Sequence, residues 1–144
     1  MMRKLLSLVA FLLLIFNMSG CNKDINISPH VTVNGEDVST IYHVGAGELD
    51  EDKYAAPRFT EHIEVMEVKP GSLVEVMYID VPKRVYIHAW LNDELKVKEE
   101  LKDVSSSLQF SAPMQEGTYI YRIASRWNFR TASNTVFVLE VKNN

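Results

Sequence analysis

Residues 117–142 read GTYIYRIASRWNFRTASNTVFVLEVK, and this stretch decides the fold class. Tyr119, Tyr121 and Ile123 alternate with other side chains through residues 117–125, and a second alternating run covers residues 135–142. Alternation with a period of two is typical of β-strands, because successive side chains of a strand point to opposite faces. We therefore predict two final strands, with a loop between them that contains residues 126–130.

The same period continues toward the N-terminus, and turn-forming residues separate the alternating segments. Turns are predicted at 34–35, where Asn-Gly is a strong hairpin signal, and at 69–72, 80–83, 92–94 and 112–113. The segments between them, predicted as strands, are residues 30–33, 38–44, 59–68, 73–79, 84–91 and 108–111. Residues 95–104 fit either a short helix or an edge strand, and we favour a strand for 95–98. About seven to eight short strands at this spacing predict an all-β, antiparallel β-sandwich.

Length and charge narrow the functional classes. A chain of 144 residues predicts one domain. After residue 20 there are 13 basic and 19 acidic residues, which gives a net charge of −6 with neutral histidines. Nucleic-acid binding depends on clustered Lys and Arg, so this balance argues against a nucleic-acid partner, and against an anionic surface as a general partner.

The N-terminus has the pattern of a secretory signal peptide. Arg3 and Lys4 precede an apolar run over residues 5–16, and small residues follow it. Met18, Ser19, Gly20 and Cys21 resemble the bacterial lipobox, in which the Cys carries a thioether-linked diacylglycerol. The resemblance implies cleavage of residues 1–20 and a palmitate-type lipid anchor on Cys21 at the extracytoplasmic face of a bacterial cell membrane. An uncleaved signal anchor with an incidental Cys is the alternative.

Cys21 is the only cysteine, so the chain forms no internal disulfide. Lipidation of Cys21 would also explain a lone thiol in an exported protein. We then expect residues 21–29 to form a short tether and residues 30–144 to form the sandwich domain.

Residues 113–121, PMQEGTYIY, resemble the turn and start of strand F in immunoglobulin-like domains. The resemblance implies that Tyr119 is the tyrosine corner, whose hydroxyl bonds back to the backbone. It places Tyr121 at the position of the antibody Cys, so no inter-sheet disulfide is expected. It also implies that Trp90 is the core Trp of strand C, and that all three residues have structural roles.

Residues 29–144 are also similar to small lipoproteins of Gram-positive spore-formers. The matching elements are residues 31–35, VTVNG, residues 69–71, KPG, and residues 113–121. Residues 41–43, IYH, stand where many members have Tyr-Cys-Trp. This resemblance implies no particular activity.

The sequence contains no recognisable catalytic or metal-binding motif. His30, His43, His62 and His88 lack the local spacing of a metal site, and the acids at 48–52 lack the pattern of a calcium loop. No nucleophile motif or phosphate-binding glycine loop is present. We therefore expect no metal, no cofactor and no enzymatic activity.

The loop between the last two strands has the composition of a contact surface. Exposed aromatic residues beside arginines are common in interfaces, and this loop contains Arg126, Trp127, Phe129 and Arg130. Either these residues bind a partner, or Trp127 and Phe129 cap the end of the sandwich. The first option predicts a binding module for a protein or cell-wall partner. The alternatives are a structural or accessory lipoprotein without a dedicated ligand and, more distantly, an envelope enzyme.

Overall fold

The computed structural model describes residues 24–44, 56–57 and 60–143. Within them the regular structure is β-strand apart from one 3₁₀ turn, Thr60–His62. Two sheets pack face to face, which confirms the predicted all-β sandwich. The described ranges contain no helix with the length and apolarity needed to cross a membrane. The predicted signal peptide, Cys21 and the acidic residues 48–52 lie outside the described residues.

The smaller sheet has four antiparallel strands in the order β2-β1-β5-β8. They are β1 (His30–Val33), β2 (Glu36–Asp37), β5 (Leu73–Met77) and β8 (Ser107–Ser111). Asn34 and Gly35 join β1 to β2 with φ angles of 49° and 86°. Two successive positive φ angles characterise the type I′ hairpin turn that Asn-Gly favours, so the turn residues explain this hairpin.

The larger sheet has six strands among the described residues, and two of them lie within residues 117–142. Its main order is β3-β10-β9-β6-β7, and a short strand, β4, pairs in parallel with β10. The strands are β3 (Ile41–Val44), β4 (Met66–Val68), β6 (Arg84–Leu91), β7 (Glu94–Lys102), β9 (Gly117–Arg126) and β10 (Ala132–Val141). β9 and β10 have ten residues each, so the sandwich is roughly 30 Å long at about 3.3 Å per residue.

Seven of the ten described strands follow the immunoglobulin order. In that fold one sheet contains strands C, F and G, with C′ added in variable domains, and the other contains A, B, E and D. Strand D has no counterpart among the described strands. Here β7-β6-β9-β10 corresponds to the first set and β1-β5-β8 to the second. β9 is therefore strand F, as the resemblance of residues 113–121 implied.

The main core lies between the two sheets. The larger sheet contributes alternate residues of three central strands to it: Val85, Ile87, Ala89, Leu91, Tyr119, Tyr121, Ile123, Phe137, Leu139 and Val141. The smaller sheet contributes Val31, Val33, Val74 and Val76. A second, smaller cluster covers part of the outer face of the larger sheet, where Ile63 packs on Val136 and Val138. Both faces of the larger sheet are thus partly buried.

The structure differs from the sequence prediction in three places. The described residues contain ten strands rather than seven to eight, and one of them, at residues 36–37, lies where no strand was predicted. Residues 60–68, the described part of the predicted strand 59–68, do not form one strand: Ile63 N donates to Thr60 O at 3.1 Å in a 3₁₀ turn, and the strand among them is Met66–Val68. Residues 94–102 form one continuous strand, which settles the ambiguous segment 95–104 in favour of strand over a longer range than 95–98.

Candidate functional site

The predicted contact loop divides into a buried and an exposed part. Trp127 is only 6% exposed and belongs to the main core. Its Nε1 donates to Asp80 O at 2.7 Å, and its ring packs edge-on against Tyr78 at 6.3 Å between centroids. Trp127 therefore caps the end of the sandwich, and its assignment as a contact residue is corrected.

Phe129 and Arg130 form the exposed part of this loop. Phe129 is 76% exposed, and the Arg130 guanidinium carbon lies 4.8 Å from the centroid of its ring. Asn128 Oδ1 accepts hydrogen bonds from Arg130 N and Thr131 N, each at 2.8 Å. Trp127 N also donates to Thr131 O at 3.0 Å. These bonds close the loop tightly, so Phe129 and Arg130 are presented on a fixed backbone.

Arg126 is the last residue of β9 rather than a loop residue, and it is half-buried. Its register partner on β6 is Arg84, which is in turn paired with Lys102 on β7. Three cationic residues thus lie side by side across the ends of three neighbouring strands. The sequence did not reveal this row, because strand pairing brings together residues from distant parts of the chain.

Residues 24–29 lie against the same end of the sandwich. Asn26 N donates to Asp80 Oδ2 at 2.8 Å, and Ser133 Oγ donates to Ile27 O at 2.7 Å. Pro29, the last residue before β1, is buried. The described part of the predicted tether is therefore docked on the domain.

An open groove of about 680 Å³ separates this segment from the loop after β9. Its walls combine apolar and charged side chains with a few neutral polar groups. They are Asp24, Ile25, Ile27, Asn128, Phe129, Arg130 and Thr131.

A second loop at this end was not identified from the sequence as a contact surface. It connects β5 to β6, and its Ile79 and Val81 are 79% and 42% exposed. An available signal was the presence of two apolar β-branched residues around a predicted turn. We call residues 24–29, 78–84, 102–103 and 126–131 together the tether end.

The residues with expected structural roles are all buried. Tyr119 OH donates to Gln115 O at 3.1 Å, which is the backward hydrogen bond that defines a tyrosine corner. Tyr121 stacks on Phe137 with centroids 4.9 Å apart and nearly parallel rings. Phe137 is the register partner of Tyr121 within the larger sheet, and Phe110 of the smaller sheet contacts Tyr121 across the core, with ring centroids 5.7 Å apart.

Trp90 is fully buried, but on the other face of strand C from the one expected. Its neighbours Ala89 and Leu91 point into the main core, so Trp90 points away from the smaller sheet. It stacks on His88 at 5.7 Å, and the Arg122 guanidinium lies 5.1 Å from its ring centroid. Its placement in the inter-sheet core is thereby corrected.

The environment of His88 disfavours its protonated form. Burial, and then the positive charges of Arg122 and Lys98, lower the pKa of His88 to about 4. Burial also lowers the pKa of Arg122. His88 is therefore neutral at pH 7, and His88 Nδ1 has no hydrogen-bond partner among the described residues.

Within the described residues, no group of three or more His, Cys, Asp or Glu side chains is arranged to hold a metal ion. His30 makes a surface contact with Asp37 at 3.0 Å, and His88 lies in the aromatic cluster. The tether end presents exposed apolar side chains and basic side chains, and both kinds of side chain can bind a partner.

Comparisons with known proteins add little to this geometry. No family model matches the chain, and no curated protein matches it. A solved structure with weak similarity is the neutron crystallographic structure of a Jonesia denitrificans lytic polysaccharide monooxygenase, with 9% sequence identity and a TM-score of 0.44. The match covers 58% of this chain and 62% of that one. Similarity at this level carries no inference about activity.

Proposed function

We propose that this protein is a membrane-anchored extracytoplasmic lipoprotein whose domain is a binding module for a protein or cell-envelope partner. The anchor is a lipid on Cys21, as the lipobox-like residues 18–21 imply. The contact surface is the tether end, where Phe129 and Arg130 are both exposed.

One observation carries the proposal: residues 24–29 are docked on the same end of the sandwich that presents the exposed loop. The bonds of Asn26 N to Asp80 and of Ile27 O to Ser133 hold them there. An anchor at Cys21 would thus keep the loop close to the envelope surface. Exposed apolar side chains beside arginine are favourable for binding, because the apolar part supplies buried area and the guanidinium supplies directed hydrogen bonds.

In-cell photocrosslinking tests the contact surface. A photoreactive phenylalanine analogue at position 129 should give a dominant adduct with one envelope component. Met114 is a matched control, because it is also 76% exposed but lies in the turn before β9, at the opposite end. Equal adducts at positions 129 and 114 would contradict a specific surface at the tether end.

A further inference from the structure

We propose that the partner of the tether end is the membrane itself: this end rests on an anionic bilayer surface. Phe129, Ile79 and Val81 enter the interfacial region, and the neighbouring basic side chains contact headgroup phosphates. This inference rests on the proposed function, since it takes the lipid on Cys21 as the anchor.

The docked segment fixes how far this end can be from the membrane. Asp24 follows Cys21 by three residues, and an extended chain spans at most about 3.3–3.6 Å per residue. The two positions are therefore no more than about 11 Å apart. Because residues 26 and 27 are bonded to Asp80 and Ser133, the domain cannot move away by extending residues 24–29 without breaking these contacts. A lipid on Cys21 thus brings the tether end to the headgroups.

The apolar side chains at this end suit the bilayer interface. Phe129 is 76% exposed on one loop, and Ile79 and Val81 are 79% and 42% exposed on the loop beside it. Two loops joined by the hydrogen bond from Trp127 Nε1 to Asp80 O thus present exposed apolar side chains at the tether end. Aromatic and aliphatic side chains flanked by Arg and Lys are the usual composition of segments that lie in the headgroup region.

The charges favour an anionic surface over a neutral one. Arg84 lies between Lys102 and Arg126 in the sheet, and like charges opposite each other on neighbouring strands are unfavourable. In the described part of the chain, no carboxylate lies within 4.0 Å of the cationic nitrogens of Lys83, Arg84, Arg126 or Arg130.

The positive character of this end is local. Lys102 is 4.0 Å from Glu100, and Asp24, Asp80 and Asp103 also lie at this end. The chain after residue 20 is nevertheless negative overall, with a net charge of −6 from 13 basic and 19 acidic residues. Anionic headgroups attract basic residues only within about a Debye length. The short anchor would hold the tether end within about that distance of the headgroups.

The test uses the full lipidated protein in vesicles, with a polarity-sensitive fluorophore on a new cysteine. Cys21 is the only native cysteine, and its acylation would block its thiol, so the fluorophore would react only with the introduced cysteine. The label is placed at Phe129→Cys, at Ile79→Cys and, as a control at the opposite end, at Met114→Cys. The vesicles contain nitroxide-labelled lipid as a quencher, in phosphatidylcholine alone or with roughly a third of phosphatidylglycerol.

We expect quenching at positions 129 and 79 to be several-fold greater than at position 114, with the greatest difference in the phosphatidylglycerol vesicles. Arg126→Gln combined with Arg130→Gln should reduce that lipid dependence. Equal quenching at positions 129, 79 and 114, in protein that floats with the vesicles, would overturn the inference and leave the anchor intact. The same applies if position 129 remains unquenched and crosslinks to a protein in cells. If the protein purified from membranes carries no lipid and does not float with the vesicles, the proposed function and this inference are both overturned.

Discussion

His88 lies in an aromatic and cationic cluster on the outer face of the larger sheet. It stacks on Trp90, and Arg122 on the adjacent strand approaches the same ring. A protonated imidazole is unfavourable at this position because it is buried and has Arg122 and Lys98 as neighbours. The cluster is thus adapted to a neutral histidine.

The pKa of His88 predicts a loss of stability in mild acid. An unfolded histidine has a pKa of about 6.5, whereas His88 in the folded protein has a pKa of about 4. Below about pH 6.5 the unfolded chain therefore binds a proton that the folded chain does not. Stability decreases until about pH 4, and the loss from pH 7 to pH 5 is about 2 kcal/mol.

Chemical denaturation at pH 7 and pH 5 measures this loss. His88→Gln should reduce the difference between the two pH values by about the same amount, about 2 kcal/mol. The explanation fails if His88→Gln and the wild type lose stability equally between the two pH values.

The two aromatic residues of the loop after β9 should respond differently to truncation. Trp127→Ala removes a core side chain and its hydrogen bond to Asp80 O, and should cost about 3–5 kcal/mol of stability. Phe129→Ala removes an exposed ring and should change stability by less than about 0.5 kcal/mol. Similar denaturation midpoints for the two variants would contradict the division of the loop into buried and exposed parts.

The corner hydrogen bond of Tyr119 can be tested with a single-atom change. Tyr119→Phe retains the buried ring and removes the hydroxyl that donates to Gln115 O. We expect a loss of about 0.5–1.5 kcal/mol. Tyr42→Phe, at a tyrosine that is 52% exposed, is the control and should be nearly neutral. An unchanged stability of Tyr119→Phe would mean that the corner bond contributes nothing to the fold.

At the scale of the elements, turn residues and alternation predicted most of the strands. The limits predicted for β6 agree with Arg84–Leu91, and Asn34-Gly35 forms the predicted hairpin turn. Prediction was weaker where both faces of a strand are buried. Alternation places Trp90 on the opposite face of β6 from Ala89 and Leu91, but it does not show which of the two faces packs on the other sheet.

Residues 59–68 show a second limit of the sequence pattern. Ile63 is buried against Val136 and Val138, so an apolar residue at this position does not require a strand. The row of Arg84, Lys102 and Arg126 shows a third limit, since it exists only through strand register. The candidate site was therefore predicted only in part: the loop was identified, but its neighbours were not.

The turn that leads into β9 depends on a glycine. Gly117 has a φ of +147°, and a Cβ at this position would lie 2.5 Å from Leu91 Cδ1. Gly117→Ala should therefore cost about 1–3 kcal/mol in thermal or chemical unfolding. Gly35 also has a positive φ, but a Cβ added there would have no atom within 4 Å. Gly35→Ala should therefore lose less stability than Gly117→Ala. Equal losses for both variants would show that the contact with Leu91 is relieved without cost.

For the whole molecule, the two ends of the sandwich have different properties. The tether end combines residues 24–29, two loops with exposed apolar side chains and the row of cations. At the opposite end, the large exposed apolar side chains include Leu73 and Met114. We propose that this polarity orients the domain on the membrane and leaves the opposite end and the edges of the sheets directed away from it.

The proposed orientation depends on the proposed lipid on Cys21, and peptide mass spectrometry of the protein from membranes tests this lipid most directly. We expect the mature chain to begin at Cys21, with residues 21–23, CNK, as an N-terminal tryptic peptide that carries a diacylglyceryl group. In Cys21→Ser this modified peptide should be absent, and the protein should be released or remain an uncleaved precursor. An unmodified Cys21, or a mature chain that begins elsewhere, would contradict the lipid anchor.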